Sequence, residues 1–257
     1  MTELIARNIT VCADGATLVD DASLSLRPGE LVAILGPNGA GKTSLLLAIL
    51  GQIKVAGGTV ELGGDDCFGL APVERAKRIS YLPQRRPLAW PNRVRDVVAL
   101  GRFAHGATLG RLGPADAEAV DGAIGACDLD KLADRNTDSL SGGELARVHF
   151  ARAMAAQAPL LMADEPVAAL DPRHQFRIAE LIRQFVKDGG GAVVVLHEVA
   201  LAARFADRLV WMNGGRIVAE GSPRETLNSR IMAEVYGVRA DVRNERETID
   251  VRIEGAL

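Results

Sequence analysis

Aromatic residues are scarce in this chain of 257 residues, and none of them precedes Phe68. Cysteine is also rare: Cys12, Cys67 and Cys127 are odd in number and far apart, which predicts reduced thiols and neither a disulfide framework nor a zinc site. No apolar run approaches the roughly 18 residues of a membrane-spanning helix, and we expect no signal peptide. Basic residues are not in excess, since the net charge is −3, which argues against binding of nucleic acid through a broad basic surface.

The rest of the composition is that of a folded globular protein. Charged residues make up 25% and hydrophobic residues 48% of the chain, close to the average for globular domains. A chain of this length can bury a sizeable core in one large domain or in two intimate subdomains. Three stretches differ in pattern: residues 1–84 predict mainly strands, residues 85–158 predict helices, and residues 159–215 alternate between the two.

Several boundaries follow from local signals. Asp20-Asp21 and Arg27-Pro28-Gly29-Glu30 predict turns, and Asn213-Gly214-Gly215 predicts a hairpin turn. Helices are predicted over residues 93–103 and from Pro114 to about Cys127. Short apolar runs predict buried strands at residues 160–163, 192–196 and 208–212. The arginine-rich end of the chain, residues 239–252, predicts a solvated edge hairpin with alternating apolar residues.

One glycine-rich segment carries a specific chemical signal. Gly36-Pro37-Asn38-Gly39-Ala40-Gly41-Lys42-Thr43, followed by Ser44, fits the phosphate-binding P-loop pattern G-x-x-x-x-G-K-[ST]. An apolar strand, residues 31–35, precedes it and a helical run follows, as the motif requires. The glycines let successive backbone N–H groups point at phosphate oxygens, Lys42 adds positive charge, and the Thr43 hydroxyl can bind Mg²⁺. These flanks reject the alternative of an ordinary strand-to-helix turn.

Two further segments fit the same chemistry. Leu140-Ser141-Gly142-Gly143-Glu144, here called the signature loop, predicts a loop that opens a helix, and helix N-termini bind anions. The apolar run of residues 160–163 ends in Asp164 and Glu165, the Walker B pattern. Acids at the carboxyl end of a parallel strand face the ligand crevice of such sheets. Asp164 can therefore hold Mg²⁺ or its water, and Glu165 can polarise the water that attacks the γ-phosphate.

Taken in order along the chain, these motifs resemble the nucleotide-binding subunit of an ABC transporter over its whole length. The motifs follow one another in the order found in the family: the P-loop, Gln84, the signature loop, the two acids, Asp171 and His197. The signature loop distinguishes this family from other P-loop ATPases. The resemblance implies that Gln84 contacts Mg²⁺ or water and senses the permease. It also implies that Asp171 communicates across a dimer and that His197 contacts the γ-phosphate. His105, His149 and His174 are expected to be surface or structural residues.

The resemblance implies an α/β fold. A P-loop NTPase core, with a mostly parallel sheet and an antiparallel β subdomain, spans residues 1–84 and 159–257, and an α-helical subdomain, residues 85–158, interrupts it. It also implies a homodimer around two ATP, each held by the P-loop of one subunit and by Ser141, Gly142, Gly143, Glu144 and Asp171 of the other. The expected partners are membrane permease subunits and, indirectly, a periplasmic or extracellular substrate-binding protein, with no nucleic acid. The expected location is the cytoplasmic face of the inner membrane.

The substrate class is less specific. Residues 171–175 and 196–208 resemble the importer branch for iron siderophores, haem and vitamin B12, and within that branch an iron chelate is the favoured substrate. Residues 87–91 and 94–102 are expected to line the permease dock. An alternative is a soluble ABC ATPase that acts on ribosomes or DNA, although such proteins usually carry two cassettes or a long coiled coil. A nucleotide-binding regulator without turnover is disfavoured by the presence of Glu165 and His197.

The chain departs from the family pattern at the adenine. The family usually places an aromatic residue before the P-loop to stack on the base, and Ala13 occupies that position here. Stacking of a base on an aromatic side chain contributes about 1–3 kcal/mol in nucleic-acid systems. We therefore expect looser binding of adenine, with reduced ATP affinity or tolerance of GTP.

Overall fold

The computed structural model describes residues 2–84, 91–108, 110–244 and 249–257. The strands within these ranges are β1 (Leu4–Ala13), β2 (Ala16–Leu26), β3 (Leu31–Leu35), β4 (Gly57–Leu62), β5 (Asp65–Asp66), β6 (Ile79–Leu82), β7 (Leu160–Asp164), β8 (Gly191–Val195), β9 (Arg208–Asn213), β10 (Arg216–Gly221), β11 (Val238–Asn244) and β12 (Ile249–Ala256). The α-helices are α1 (Lys42–Ile49), α2 (Pro72–Arg78), α3 (Val94–Ala99), α4 (Pro114–Ala126), α5 (Gly142–Ala155), α6 (Pro172–Lys187), α7 (Val199–Phe205), α8 (Pro223–Thr226) and α9 (Ser229–Tyr236). Short 3₁₀ helices cover Leu100–His105, Asp130–Leu132 and Thr137–Ser139.

The chain divides into two compact units. Unit 1 comprises Met1–Gly69 and Gly191–Leu257, and unit 2 comprises Leu70–Gly190. The predicted helical segment, residues 85–158, falls within unit 2, whereas the domain boundaries at residues 84 and 159 stay a prediction. Residues 87–90 of the expected permease dock lie outside the described residues.

Unit 1 contains both parallel and antiparallel pairing. Strands β2, β1, β4 and β5 form an antiparallel sheet in that order, and β10, β9, β3 and β8 are neighbours in a second sheet. Strand β3 runs parallel to both β8 and β9, and every residue of β3 and β8 is buried. Such continuous apolar burial is typical of a central parallel strand. The terminal hairpin is confirmed, because β11 pairs antiparallel with β12.

Unit 2 consists of a parallel strand pair whose connection is helical. Strands β6 and β7 pair in register from Ile79 with Leu160 to Leu82 with Ala163. Between them, α3, α4 and α5 bury apolar faces that include Val97, Val120 and Phe150. This confirms the predicted mixture of α and β structure.

Two local predictions have different outcomes. The turn at residues 27–30 is confirmed by a hydrogen bond from the Glu30 N–H to the Arg27 carbonyl at 3.2 Å. The turn predicted at Asp20-Asp21 is wrong, because both residues lie inside β2. Asp21 has φ 55°, so the polar pair marks an irregularity in the pairing of β2 with β1 and does not end the strand.

Candidate functional site

The P-loop has a backbone that only glycine can follow at two positions. Gly36 has φ 154° and Gly41 has φ 92°. A Cβ on Gly36 would lie 2.2 Å from the Met212 carbonyl oxygen, and one on Gly41 would lie 2.3 Å from the Leu18 carbonyl oxygen. The loop therefore lies directly against the backbone of β9 and β2, which fixes its course before α1 begins.

The Lys42 ammonium group lies inside this loop. Its Nζ donates hydrogen bonds to the carbonyl oxygens of Gly36 at 2.8 Å and Pro37 at 2.9 Å, and the residue is only 5% exposed. The other predicted phosphate-binding residues of this segment differ in their exposure to solvent. Asn38 and Gly39 are exposed, Ala40 is buried, and Thr43 and Ser44 are half-buried. A compact positive charge among backbone N–H groups suits an incoming phosphate.

His197 emerges at the same edge of unit 1 as the P-loop. Strands β3 and β8 are parallel, and the N–H of Leu196, the residue that follows β8, donates to the Ile34 carbonyl of β3 at 3.1 Å. The P-loop follows Leu35, and the half-buried His197 follows Leu196. Carboxyl ends of parallel strands meet at one edge of a sheet, which is where ligands bind in α/β folds.

Unit 2 repeats this arrangement with acidic and amide groups. Strands β6 and β7 are parallel, so Gln84 and Glu165 follow neighbouring strand ends, and the Gln84 Nε2 donates to the Glu165 Oε2 at 2.6 Å. Asp164 ends β7 and is only 1% exposed. Glu165 has φ 48°, a left-handed conformation that is uncommon for a residue other than glycine and that clusters at functional sites.

The signature loop forms the N-terminus of α5 through a capping box. The Glu144 N–H donates to the Ser141 Oγ at 3.3 Å, while the Ser141 N–H and hydroxyl each donate to the Glu144 carboxylate at 2.8 Å. These hydrogen bonds, first the one from the Ser141 backbone, lower the pKa of Glu144 below its ordinary value. The predicted loop opening a helix is confirmed, and the Glu144 side chain closes on the cap.

Asp171 caps α6 and holds a histidine against the signature loop. Its carboxylate accepts from the His174 N–H at 3.0 Å and from the His174 Nδ1 at 2.9 Å, which lowers the pKa of Asp171. A Cβ on Gly143 would lie 2.0 Å from the His174 Cδ2, so the imidazole covers the α-carbon of this buried glycine. His174 was expected to be surface or structural, and it has a structural contact in the signature loop.

Tyr236 is a residue at the site that the sequence does not reveal. Its hydroxyl oxygen accepts a hydrogen bond from the Gly36 N–H at 3.1 Å across a separation of 200 residues. No motif links two positions so far apart. The Ser141 cap differs, because Ser-x-x-Glu before a helix is a readable capping-box pattern.

Each unit presents groups of the types used in phosphoanhydride chemistry. Unit 1 offers oriented N–H groups, an ammonium group and an imidazole, while unit 2 offers two carboxylates and an amide. Separately, none of the described helices combines the length and the apolar character needed to cross a bilayer.

Known proteins are similar to this chain in sequence. The profile of the ABC transporter family matches residues 19–168. The hemin import ATP-binding protein of Rhizobium meliloti (strain 1021) is 40% identical over 245 residues, covering 92% of each chain. The protein of the same description from Pseudomonas aeruginosa is 38% identical over 252 residues, covering 95% of this chain and 96% of the relative.

Solved structures agree with the fold class. A metal-chelate type ABC transporter in an inward-facing conformation matches with a TM-score of 0.84 at 23% identity, covering 100% of this chain and 98% of that chain. An ATP-binding cassette in its ADP conformation matches with a TM-score of 0.81 at 25% identity, covering 92% and 98%. A dimeric cassette bound to ADP and Pi matches with a TM-score of 0.73 at 25% identity, covering 86% and 99%. The predicted P-loop NTPase fold is confirmed.

Proposed function

Because the chain belongs to the ABC transporter family as an ATP-hydrolysing subunit, we propose that it powers an importer of hemin. The proposal of hemin as the substrate rests on the relatives, which are hemin import ATP-binding proteins and match more than nine tenths of the chain at 38–40% identity. Hemin is an iron chelate, so it lies within the iron-siderophore, haem and cobalamin class that the sequence pattern suggests.

The proposed ATP site is built on the P-loop. The P-loop, residues 36–44, binds the β- and γ-phosphates through backbone N–H groups of the loop and the ammonium of Lys42, and His197 contacts the γ-phosphate. Support comes from the buried Lys42, which already lies on the carbonyl oxygens of Gly36 and Pro37, and from the shared strand edge of the P-loop and His197. Adenine has no aromatic partner at Ala13.

On the resemblance to the family, we propose Thr43, Gln84 and Asp164 as residues that bind Mg²⁺. A hydroxyl, an amide oxygen and a carboxylate are the hard oxygen donors that Mg²⁺ prefers. The Gln84 Nε2 donates to Glu165, which leaves the Gln84 Oε1 as the group that suits a cation. When bound, Mg²⁺ would neutralise charge on the phosphate oxygens.

Glu165 is the proposed general base for hydrolysis. Its carboxylate accepts from Gln84 at 2.6 Å, which orients the group, and the left-handed backbone at φ 48° sets the direction in which the side chain leaves β7. A positioned carboxylate of this kind takes a proton from the attacking water in the transition state.

The signature loop is proposed to bind the ATP of a second subunit. In the exposed Ser141-Gly142 turn, backbone N–H groups at the start of α5 suit a phosphate. Glu144 would repel a phosphate directly, so its contribution passes through the Ser141 hydroxyl that it orients. Asp171 would act beside this loop through His174. ATP then favours the closed dimer because only that state offers both sets of contacts.

The dimer is proposed to act on permease subunits at the cytoplasmic face of the inner membrane, and a periplasmic or extracellular hemin-binding protein would deliver the substrate to them.

Deletion of the gene tests the proposed import of hemin directly. We expect loss of growth on hemin as the iron source, restored by the wild-type chain but not by Lys42→Ala, with growth on siderophores and cobalamin unchanged.

Affinity purification from detergent-solubilised membranes separates the classes. A co-purifying permease supports transport. Recovery with ribosomes or DNA and no permease would support the alternative of a soluble ABC ATPase, and growth defects on a siderophore or cobalamin would replace hemin as the substrate.

A further inference from the structure

Tyr236 connects the last helix of unit 1 to the first residue of the P-loop. The Gly36 N–H donates to the Tyr236 hydroxyl oxygen at 3.1 Å. Gly36 is buried, and a buried backbone donor is costly to leave without an acceptor. The position of this loop amide therefore depends on a side chain from α9.

The tyrosine ring is itself firmly seated. It packs edge to face on the fully buried Trp211, with ring centroids 6.4 Å apart. The Asn213 Nδ2 donates to the Glu234 carbonyl at 3.1 Å, which ties the last turn of α9 to the end of β9. Burial raises the pKa of Tyr236 to about 12, so the hydroxyl stays neutral in the physiological range.

The terminal hairpin extends the same support. Gly237 follows Tyr236 and leads into β11, and the Leu257 N–H donates back to the Gly237 carbonyl at 2.8 Å. Helix α9 and the paired strands β11 and β12, residues 229–244 and 249–257, are here called the C-terminal brace. The brace lies beyond residues 19–168, which match the family profile.

Three other contacts of the P-loop within the described residues are made by backbone atoms, unlike the side-chain contact of Tyr236. The Met212 carbonyl lies beside Gly36, the Leu18 carbonyl lies beside Gly41, and the Gly215 N–H donates to the Ala40 carbonyl at 3.2 Å. These contacts do not depend on the identity of a side chain. The Tyr236 contact depends on one hydroxyl oxygen and can be removed by a single substitution.

We propose that Tyr236 is a positioning residue for ATP, through which the C-terminal brace sets the affinity of the P-loop for the phosphates. Amide donors bind an anion well when their geometry is fixed in advance, because the cost of ordering them is already met. Release of the Gly36 amide loosens the entry of the loop and weakens phosphate binding. The inference rests on the proposed ATP site in the P-loop.

The test compares Tyr236→Phe with Val235→Ala in the full-length chain. Tyr236→Phe removes the acceptor and keeps the ring on Trp211, whereas Val235→Ala removes buried volume from the same helix and keeps the hydroxyl. We expect Tyr236→Phe to raise the Kd and KM for Mg-ATP about tenfold with kcat at saturating ATP nearly unchanged. Val235→Ala should lower Tm and leave Kd unchanged.

Two results would overturn the inference. One is a wild-type Kd and KM in Tyr236→Phe, whatever its Tm. The other is an equal rise of Kd in Val235→Ala, which would show general loosening of α9. Lys42→Ala separates this inference from the proposed site: ATP binding retained in Lys42→Ala contradicts the site itself. Loss of binding there, together with wild-type binding in Tyr236→Phe, contradicts the role of Tyr236 alone.

Hydrogen exchange gives a readout independent of ATP. We expect the peptide that contains Gly36 to exchange faster in Tyr236→Phe than in the wild type and to be unchanged in Val235→Ala. Equal exchange in the wild type and Tyr236→Phe would show that the hydroxyl does not hold the loop.

Discussion

Ala13 ends β1 beside the turn at Asp14-Gly15 and is exposed. A larger side chain therefore extends from this position without displacing buried neighbours. We expect Ala13→Tyr to tighten ATP binding by about 1–3 kcal/mol, or roughly 5- to 150-fold, because a ring can stack on adenine. Isothermal titration with ATP and GTP measures the change.

Ala13→Leu is the matched control for this prediction, because it adds apolar volume without an aromatic ring. We expect Ala13→Leu to gain much less than Ala13→Tyr. Equal ATP affinity of the wild type and Ala13→Tyr would show that adenine does not reach this end of β1.

At the scale of elements, the start of α5 pairs two glycines with different surroundings. A Cβ on Gly143 would lie 2.0 Å from the His174 ring, whereas a Cβ on Gly142 meets nothing within 4 Å. We expect Gly143→Ala to lower the free energy of unfolding by about 1–3 kcal/mol through overpacking, and Gly142→Ala to leave it nearly unchanged. Urea unfolding measures both variants.

His174→Ala provides the control for the cause of this loss. If the imidazole is the obstacle, Gly143→Ala costs much less in a His174→Ala background, and the double-mutant cycle shows strong coupling. Additive effects would place the obstacle elsewhere.

The capping box of α5 predicts a dependence of stability on pH. The folded-state pKa of Glu144 lies below its ordinary value of 4.5, so its charge stabilises the fold above that value, and this contribution is lost as pH falls through the lower folded-state pKa. Glu144→Gln keeps an acceptor for the Ser141 N–H but removes the charge. We expect the wild type to be more stable than Glu144→Gln at pH 7 and the difference to shrink as the pH falls below 4.5.

Glu118→Gln, on the exposed face of α4, controls for the loss of one negative charge. This variant measures the effect on stability of removing one exposed negative charge outside the capping box. A difference in stability between the wild type and Glu144→Gln that stays constant as the pH is lowered from 7 until the protein unfolds would contradict the assignment of this stability to the carboxylate.

Strands and turns could be predicted where the residues that determine them are close together in the sequence. The strands before the P-loop and before Asp164 were predicted because each is a continuous buried run, and the hairpin turn at residues 213–215 was predicted by its turn residues. The turn predicted at Asp20-Asp21 was wrong because polar pairs favour turns but can also occur within a strand where the antiparallel pairing is irregular.

Contacts between distant residues could not be predicted in the same way. Gly36 with Tyr236 and Gly143 with His174 are set by the packing of elements, and neither pair leaves a spacing pattern in the sequence. The Gln84–Glu165 hydrogen bond is intermediate: each residue was expected in the site, but their direct contact follows from the parallel pairing of β6 with β7.

At the scale of the whole molecule, each unit carries part of the set of groups proposed for ATP hydrolysis. The P-loop and His197 belong to unit 1, and Gln84, Asp164, Glu165 and the signature loop belong to unit 2. Membership of the family is what assigns these groups to one reaction. The proposed second subunit explains why one chain carries two glycine-rich loops for phosphate.

Glu165→Gln tests the dimer and the base together. Glutamine retains an oxygen that can accept from Gln84, so the fold is preserved, but it cannot take a proton from water. Loss of a general base typically slows a reaction by about 10²- to 10⁴-fold. ATP should then persist in the site, and because the proposed closed dimer offers ATP more contacts than the separated subunits do, we expect the dimer to accumulate.

Sedimentation velocity with Mg-ATP measures this shift, and phosphate release measures turnover. We expect a stable dimer of Glu165→Gln with ATP, and monomers with ADP, because we propose that hydrolysis weakens the contacts that hold the two subunits around ATP. Glu198→Gln removes the acid beside His197 and should behave as the wild type. Wild-type turnover in Glu165→Gln would exclude Glu165 as the general base. Slow turnover without a dimer would support the catalytic role of Glu165 but contradict the proposed binding of ATP by the signature loop of a second subunit.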